Sequence, residues 1–369
     1  MVYLGKYIAI ILCFTQNIIH ATSTSSTSSR IIRALPPNLE PFRHWHCIGI
    51  TSCIDTAQPY AINIGDLPLV VWKDRRNRYN SALNICKHMG STLDKGKITQ
   101  SGCLQCPYHG LEMTKEDQFG QIMEQDGKLF WSYLPKLSEP DVVPFQKNTG
   151  YVTSHLQVDM DASLVDSAYN TMDIRHPEFV HGNAVGFGSK IPPANVKHYE
   201  YAINDDQSHR IGLSFDYSAN ELINRINQNA GLTQNFHMYM FPYFSWSKVT
   251  FDRSKHLLIG VHLLPIGPNK TRWYITIRHN YYRSSVGKKM MKVLASTILA
   301  QDYLQMRLQS KEGLIKRASM FEYNFPDENA IIWLKDRFKN YQYPSTRLCS
   351  ELYQYHKHAV RPLDHNENN

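Results

Sequence analysis

Four residues between Asn84 and Gly110 have the types and spacing of a pair of metal-binding loops. Cys86 and His88 are separated by one residue, Cys106 and His109 by two, and seventeen residues lie between the pairs. Each short pair puts two soft or borderline ligands on one tight loop, and Gly90, Gly96, Gly102 and Gly110 supply the permissive backbone such loops require. Two thiolates and two imidazoles suit a zinc ion, or a 2Fe-2S cluster with histidines on one iron and cysteines on the other. Zinc knuckles usually pair Cys with Cys, whereas each loop here mixes Cys and His. Cys103, three residues before Cys106, would make a C-x2-C knuckle and is the zinc alternative.

A second constellation follows the Pro-rich stretch from Leu134 to Pro144, which reads as a linker. Asn170, Asp173 and His176 recur every three residues, so on a helix they lie along one side. Pro177 is expected to end or kink that helix, and His181 to return from the following turn. Two imidazoles and one carboxylate would complete a 2-His-1-carboxylate face with open positions on a mononuclear iron. The third ligand is found far downstream. Residues 289–309 read as an amphipathic helix, and Asp302 falls on its apolar stripe with Leu294, Ile298 and Met306. A carboxylate there is costly unless it is ion-paired or holds a metal. Glu312 is the fallback ligand.

C-x-H followed by C-P-Y-H-G resembles the Rieske iron-sulfur domain, and N-x2-D-x2-H-x4-H with an Asp on a late helix resembles the catalytic domain of Rieske non-heme iron oxygenases. The combined pattern covers the chain from about Trp45 to about Pro344. Respiratory Rieske proteins carry an extra disulfide-forming cysteine in both loops; here those places hold Met89 to Ser91 and Tyr108. Lys87, Met89, Leu111 and Tyr169 also depart from the common pattern. The resemblance implies that Cys86, His88, Cys106 and His109 hold a 2Fe-2S cluster and that His176, His181 and Asp302 hold Fe(II). It further implies that Asp173 bridges a cluster histidine of a neighbouring subunit to His176 or His181, with Asn170 close by, in a homotrimer. Electrons would come from a reductase or an acidic ferredoxin, ultimately from NAD(P)H or reduced ferredoxin. The implied fold is α+β: an N-terminal antiparallel β domain and a C-terminal helix-grip domain, an antiparallel sheet with helices.

The elements that must position these ligands are legible around them. Pro68 to Trp72, Ser81 to Ile85 and Lys128 to Tyr133 are short strand-like runs, and Trp45 to Ile50 begins the first domain. His237 to Asp252, His256 to Pro265 and Thr271 to Tyr281 read as strands of an antiparallel sheet with a hairpin. Phe236, Tyr239, Phe241, Phe244 and Trp246 either line a hydrophobic cavity or, as aromatics in strands more often do, form plain core. His237 is a tempting extra ligand, but a satisfied or solvent-facing histidine is the expectation. Cys47 and Cys53 read as buried small residues.

The N-terminus reads as an address. An apolar run from Tyr7 to Cys13 is followed by eight consecutive Ser and Thr, Thr22 to Ser29, and the first acidic residue is Glu40. This fits a signal core plus a transit-like segment, the two-part presequence of plastids reached by the secretory route. A plain secretory signal or a short anchor, with the enzyme facing the cytosol, is the alternative. Residues 1–40 are thus expected to be presequence, 41–140 the cluster domain, 141–350 the iron domain and 351–369 a tail.

Across 369 residues the hydrophobic share of 42% with 20% charged excludes a disordered or fibrous chain, and seven cysteines are too few for a disulfide scaffold. The net charge of +8 comes from dispersed basic residues, so nucleic-acid binding is not expected, and docking of an acidic electron donor is. The expected function is oxidation of a small hydrophobic organic substrate by O2: hydroxylation, demethylation or desaturation. Chlorophyll derivatives of the pheophorbide or chlorophyllide type are the alternative substrate. Two readings of other classes compete. An electron carrier would need only the first constellation, and a zinc-binding interaction module would need neither iron nor reductant.

Overall fold

The computed structural model describes residues 35–55, 57–134, 139–144, 150–181, 193–202, 209–217, 233–251, 254–310, 323–325 and 327–360. The Tyr7 to Ser29 address and Glu312 lie outside them. Leu35, Leu39 and Phe42, around a 3-10 turn at Pro37–Arg43, are fully buried with Ile48, Phe130 and Trp131. The packed body therefore already includes residues 35–40, because two leucines of that stretch have apolar surface to hide.

In the N-terminal lobe, β1 (His46–Ile50), β8 (Lys128–Ser132) and β7 (Gln121–Gln125) form one antiparallel sheet. A second antiparallel sheet joins β2 (Tyr60–Ile64), β3 (Leu67–Lys73) and β4 (Tyr79–Leu83). Period-2 geometry makes β3 serve two cores. Leu69 and Val71 enter the main core of the lobe, whereas Val70 and Trp72 point the other way and pack on Cys86 and Cys106. That is why P-L-V-V-W is apolar almost throughout. β4 ends two residues before the expected Ile85, which is exposed. Asn84 stops it: its amide oxygen accepts from the backbone N–H of Leu93 (2.8 Å) and Asp94 (2.9 Å), turning the chain into the first ligand loop. The second loop grows from a two-stranded ribbon, β5 (Lys97–Ile98) and β6 (Leu104–Gln105).

In the C-terminal lobe a seven-stranded antiparallel sheet has the order β10-β11-β12-β13-β14-β15-β9. Its strands are β9 (Val152–Met160), β10 (Ala194–Ala202), β11 (His209–Tyr217), β12 (Thr233–Met240), β13 (Phe244–Thr250), β14 (His256–Gly267) and β15 (Lys270–His279). The expected run from His237 to Asp252 is two strands, because Pro242 has no N–H to give the ladder and falls in the turn between them. Helices α1 (Leu164–Met172), α2 (His176–Val180), α3 (Ser285–Ser310), α4 (Asn329–Phe338) and α5 (Thr346–Val360) complete the lobe. Ser284 opens α3 by accepting from the N–H of Gly287 at 3.1 Å. α5 crosses the limit drawn at residue 350 and buries Leu348 and Leu352 against the N-terminal lobe. Among the described residues no helix is long and apolar enough to cross a membrane.

The large sheet has two functional faces. On β15, Trp273, Ile275 and Ile277 join the core beneath the helices, whereas Tyr274, Thr276 and Arg278 meet the N-terminal lobe. At that junction Lys128 is fully buried, donates to Thr276 and lies 3.5 Å from Asp126, which also pairs with Arg278. Burial pulls the Lys128 ammonium below its ordinary value, against the opposing pull of Asp126. Asp126 and Gly127 form the two-residue turn between β7 and β8, both with positive φ, as a type I′ hairpin requires.

Asp126→Asn keeps a residue that tolerates this turn but strands two buried cations. It should lose about 3 kcal/mol in urea unfolding followed by tryptophan fluorescence, more than Lys128→Met loses. A loss under about 1 kcal/mol would show that the junction charges are not coupled.

Candidate metal centres

The two ligand loops are built alike. In each, the cysteine N–H donates to the residue five positions on (Cys86 to Ser91 and Cys106 to Leu111, both 2.8 Å). A glycine four positions on, Gly90 or Gly110, returns a bond to the cysteine carbonyl, with φ of +75° or +74° that a side chain would strain. Cys86 and Cys106 are buried among Val70, Trp72, Leu93 and Leu104, whereas His88 and His109 are exposed with ring centroids 4.8 Å apart. Burial raises the Cys106 thiol, but bonds from the Tyr108 and His109 N–H, the Cys86 side chain and the Ser91 hydroxyl outweigh it and lower its pKa. Two inner sulfurs and two outer imidazoles are the donor set of a mixed-ligand 2Fe-2S cluster, and the structure brings all four expected residues together. Cys103 lies outside this set and is half-buried; Cys47 is buried, and Cys53, expected to be buried, is exposed.

The second constellation does not ride on one helix. α1 ends at Met172 because the Asp173 carboxylate turns to accept from the N–H of Arg175 (2.8 Å) and His176 (3.3 Å). Pro177, expected to end a helix, instead sits in the first turn of α2, where its missing N–H is no loss. His181 follows directly. His176 Nε2 and His181 Nε2 lie 3.5 and 3.3 Å from Asp302 Oδ1, and one ligand atom from each of the three residues falls within 4.8 Å of the others. The other ring nitrogens are held by acceptors. His176 Nδ1 donates to the Asp173 carbonyl at 2.9 Å, and His181 Nδ1 to Gln301 Oε1 at 3.0 Å. Both rings therefore hold a proton on Nδ1 and aim Nε2 at Asp302.

Asp302 sits where its apolar stripe placed it, 5% exposed. Burial alone would raise its pKa, yet bonds and charge from His176 and His181 pull it down to about 2. For His176 burial opposes the charge, but Asp302 and Asp173 win and raise its pKa. A carboxylate facing two imidazoles is an arrangement in which a cation can take the place of a proton. Asn170 Nδ2 approaches Asp302 Oδ1 at 3.4 Å. One third of the Asp173 side chain remains exposed, with Oδ2 3.7 Å from His176 Nδ1.

These residues form part of the wall of a cavity of about 230 Å³ between α3 and the sheet. Ile275, Ile277, Leu257 and Val261 face Leu294, Ile298 and Leu299 across it. None of the five aromatics of Phe236 to Trp246 is among its described lining residues. Phe236 and Trp246 lie on the opposite face, their tilted rings 5.2 Å apart, and Tyr239, Phe241 and Phe244 pack elsewhere in the core. His237 corrects a different expectation. It lines the cavity, its Nδ1 has no hydrogen-bond partner, and burial together with nearby His176 lowers its pKa to about 3. Gln301 and the clamp of Arg175 on Asp327 (2.8 Å) and Phe325 (4.6 Å to the ring) carried no signal in sequence, since their partners are 120 or more residues away.

A Rieske [2Fe-2S] domain is matched over residues 44–131. The oxygenase component of a 3-ketosteroid-9-alpha-monooxygenase from Rhodococcus rhodochrous is 25% identical over 181 residues, 41% of this chain and 47% of that protein. A chloroplastic pheophorbide a oxygenase from Oryza sativa subsp. japonica is 20% identical over 67% of this chain and 51% of its own length. This chain thus spans about half the length of the curated relatives it matches. The crystal structure of dicamba monooxygenase bound to dicamba superposes with a TM-score of 0.63 at 16% identity, over 87% of this chain and 99% of that one, and shows the same fold.

Gln301→Leu leaves His181 Nδ1–H without its acceptor, so metal affinity at the triad should fall about 10- to 100-fold in Co(II) titrations while the loops are untouched. Unchanged affinity would remove Gln301 from the site. Because protons and metal compete for the imidazoles, and Asp302 and Asp173 raise the His176 pKa, Co(II) affinity should fall as the pH is lowered toward the ordinary imidazole range. An affinity independent of pH would contradict that competition.

Proposed function

We propose that this chain, a member of the Rieske-type non-heme iron oxygenases, is an active oxidoreductase that hydroxylates, demethylates or desaturates a small hydrophobic organic substrate with dioxygen. One observation carries this reading: a buried two-histidine, one-carboxylate triad opens on an apolar cavity in the same chain as a pair of Cys-His loops. A Rieske electron carrier or a zinc-binding module would have no use for that triad. When bound, a 2Fe-2S cluster and Fe(II) would supply single-electron transfer and dioxygen activation.

Cys86, His88, Cys106 and His109 would hold the cluster, with both imidazoles at the surface where a partner reaches them. His176, His181 and Asp302 would hold the iron, and the hydrogen bonds to the Asp173 carbonyl and Gln301 keep both rings aimed. The apolar wall binds the substrate by burial and keeps bulk water from the triad. Asp173, still partly exposed while tied to the His176 backbone, is placed to accept from a cluster imidazole of a neighbouring subunit. This supports a homotrimer in which electrons cross between subunits. The donor would be a separate reductase or an acidic ferredoxin, ultimately fed by NAD(P)H or reduced ferredoxin. A chlorophyll derivative as substrate is favoured by one observation, the length of the match to the rice pheophorbide a oxygenase, and that reading goes with a plastid destination.

Absorption and electron paramagnetic resonance of the reduced protein, with iron analysis, test the cofactors, and reductant-dependent oxygen uptake with hydrophobic substrates tests the reaction. A colourless zinc protein would overturn the proposal. Asp173→Asn should retain both metals and lose turnover by about 100-fold or more, since it weakens the acceptor but preserves the turn. Normal coupled turnover in that variant would rule out the bridging role.

A further inference from the structure

Away from the metal corner, most polar side chains among the described lining residues of the cavity lie on two strands. Asn235 and His237 project from β12 and Ser245 and Ser247 from β13, and the register sets His237 directly opposite Ser247. Asn235 is engaged through its oxygen, which accepts from the Thr250 N–H at 3.0 Å. His237 is not: its ring meets Phe215 edge-on at 5.1 Å, and its Nδ1 is buried without a partner. A second unpartnered polar atom of the wall, the indole Nε1 of Trp273, lies three strands away on β15, roughly 14 Å across the sheet, so the two cannot share one ligand group. Buried polar atoms are seldom left unsatisfied, and the unmet nitrogen makes His237 a wall side chain with hydrogen-bonding capacity to spare. Among the described lining residues, charge is confined to the metal corner. No Lys or Arg is among the described lining residues, and the two carboxylates there are Asp173 and Asp302.

We propose that His237 and Ser247 are the specificity-determining pair of this cavity, receiving a keto, phenol or alcohol oxygen of an uncharged, mainly apolar ligand, and that the cavity rejects carboxylates. This deepens the oxygenase reading and rests on it for taking the cavity as the substrate site. The imidazole and the hydroxyl together offer donor and acceptor, so either polarity of oxygen group is served. At the His237 and Ser247 end, away from the metal corner, a carboxylate would meet no cation among the described lining residues, and burying an unpaired anion is far less favourable than burying a neutral oxygen.

Three matched probes separate the terms: naphthalene, 2-naphthol and 2-naphthoate, titrated by calorimetry into the metal-loaded protein without reductant. The expected order is 2-naphthol about tenfold tighter than naphthalene, with 2-naphthoate weakest. His237→Phe keeps the ring against Phe215 and deletes both nitrogens, so the naphthol-to-naphthalene ratio should fall to about two while naphthalene binding holds; His237→Gln should restore part of the ratio. Ser247→Ala provides a second variant if His237→Phe does not fold, and should lower the ratio in the same direction. A ratio unchanged in the variants, or 2-naphthoate binding tightest, would overturn the proposal. Because binding is read without turnover, a protein with the expected selectivity that consumes no oxygen would sink the oxygenase reading and leave this one standing.

Discussion

A carboxylate on the apolar stripe of a long helix is the constraint around which the C-terminal lobe is arranged. Asp302 cannot be hidden at that depth alone; two imidazoles must meet it, and they come from a segment about 120 residues earlier in the chain. Meeting it requires α1 to stop at Met172, Asp173 to turn the backbone, and Pro177 to restart a helix within a few residues. Gln301 and Arg175 then lock rings and loop in place. The three residues are held by hydrogen bonds and charge to one another and to Gln301 and the Asp173 backbone, so the fold sets their geometry.

The N-terminal lobe solves a different problem with the same economy of geometry. Its two loops share one hydrogen-bonding plan, cysteines inward and histidines outward, and pack against a strand whose alternate residues serve two cores. Sulfur ligands are shielded from water by Val70, Trp72 and Leu104, while the imidazole edges stay open to a visitor. The inner metal position would thus be insulated and the outer one accessible, an asymmetry suited to passing electrons in one direction.

The placement of the candidate ligands was readable because spacing in sequence reports directly on tight loops and helix faces: Cys86, His88, Cys106 and His109 meet on two loops, and Asp302 lies on the buried face of its helix. His176 was expected on one helix with Asn170 and Asp173, but the Asp173 side chain capping the backbone overrides helical periodicity and starts a new helix there. The cavity wall was not legible for a plainer reason. Aromatic content says nothing of which face a strand residue occupies, and β12 presents His237 to the cavity while turning Phe236 away. Contacts made across the chain, such as His181 with Gln301 or Lys128 with Asp126 and Thr276, leave no trace in one sequence.

Strand β15 gives its alternate residues to two unrelated tasks: one set walls the cavity and the other seats the lobes on each other through Tyr274, Thr276 and Arg278. A register slip of one residue would put a guanidinium into the cavity and isoleucines against a buried lysine, so the pairing is fixed from both sides. Within that fixed pairing the two sets can change separately. Mutational drift can reshape the pocket at positions 273, 275 and 277 without disturbing the seat of the lobes, and a lineage with this architecture can explore new chemistry on an inherited scaffold.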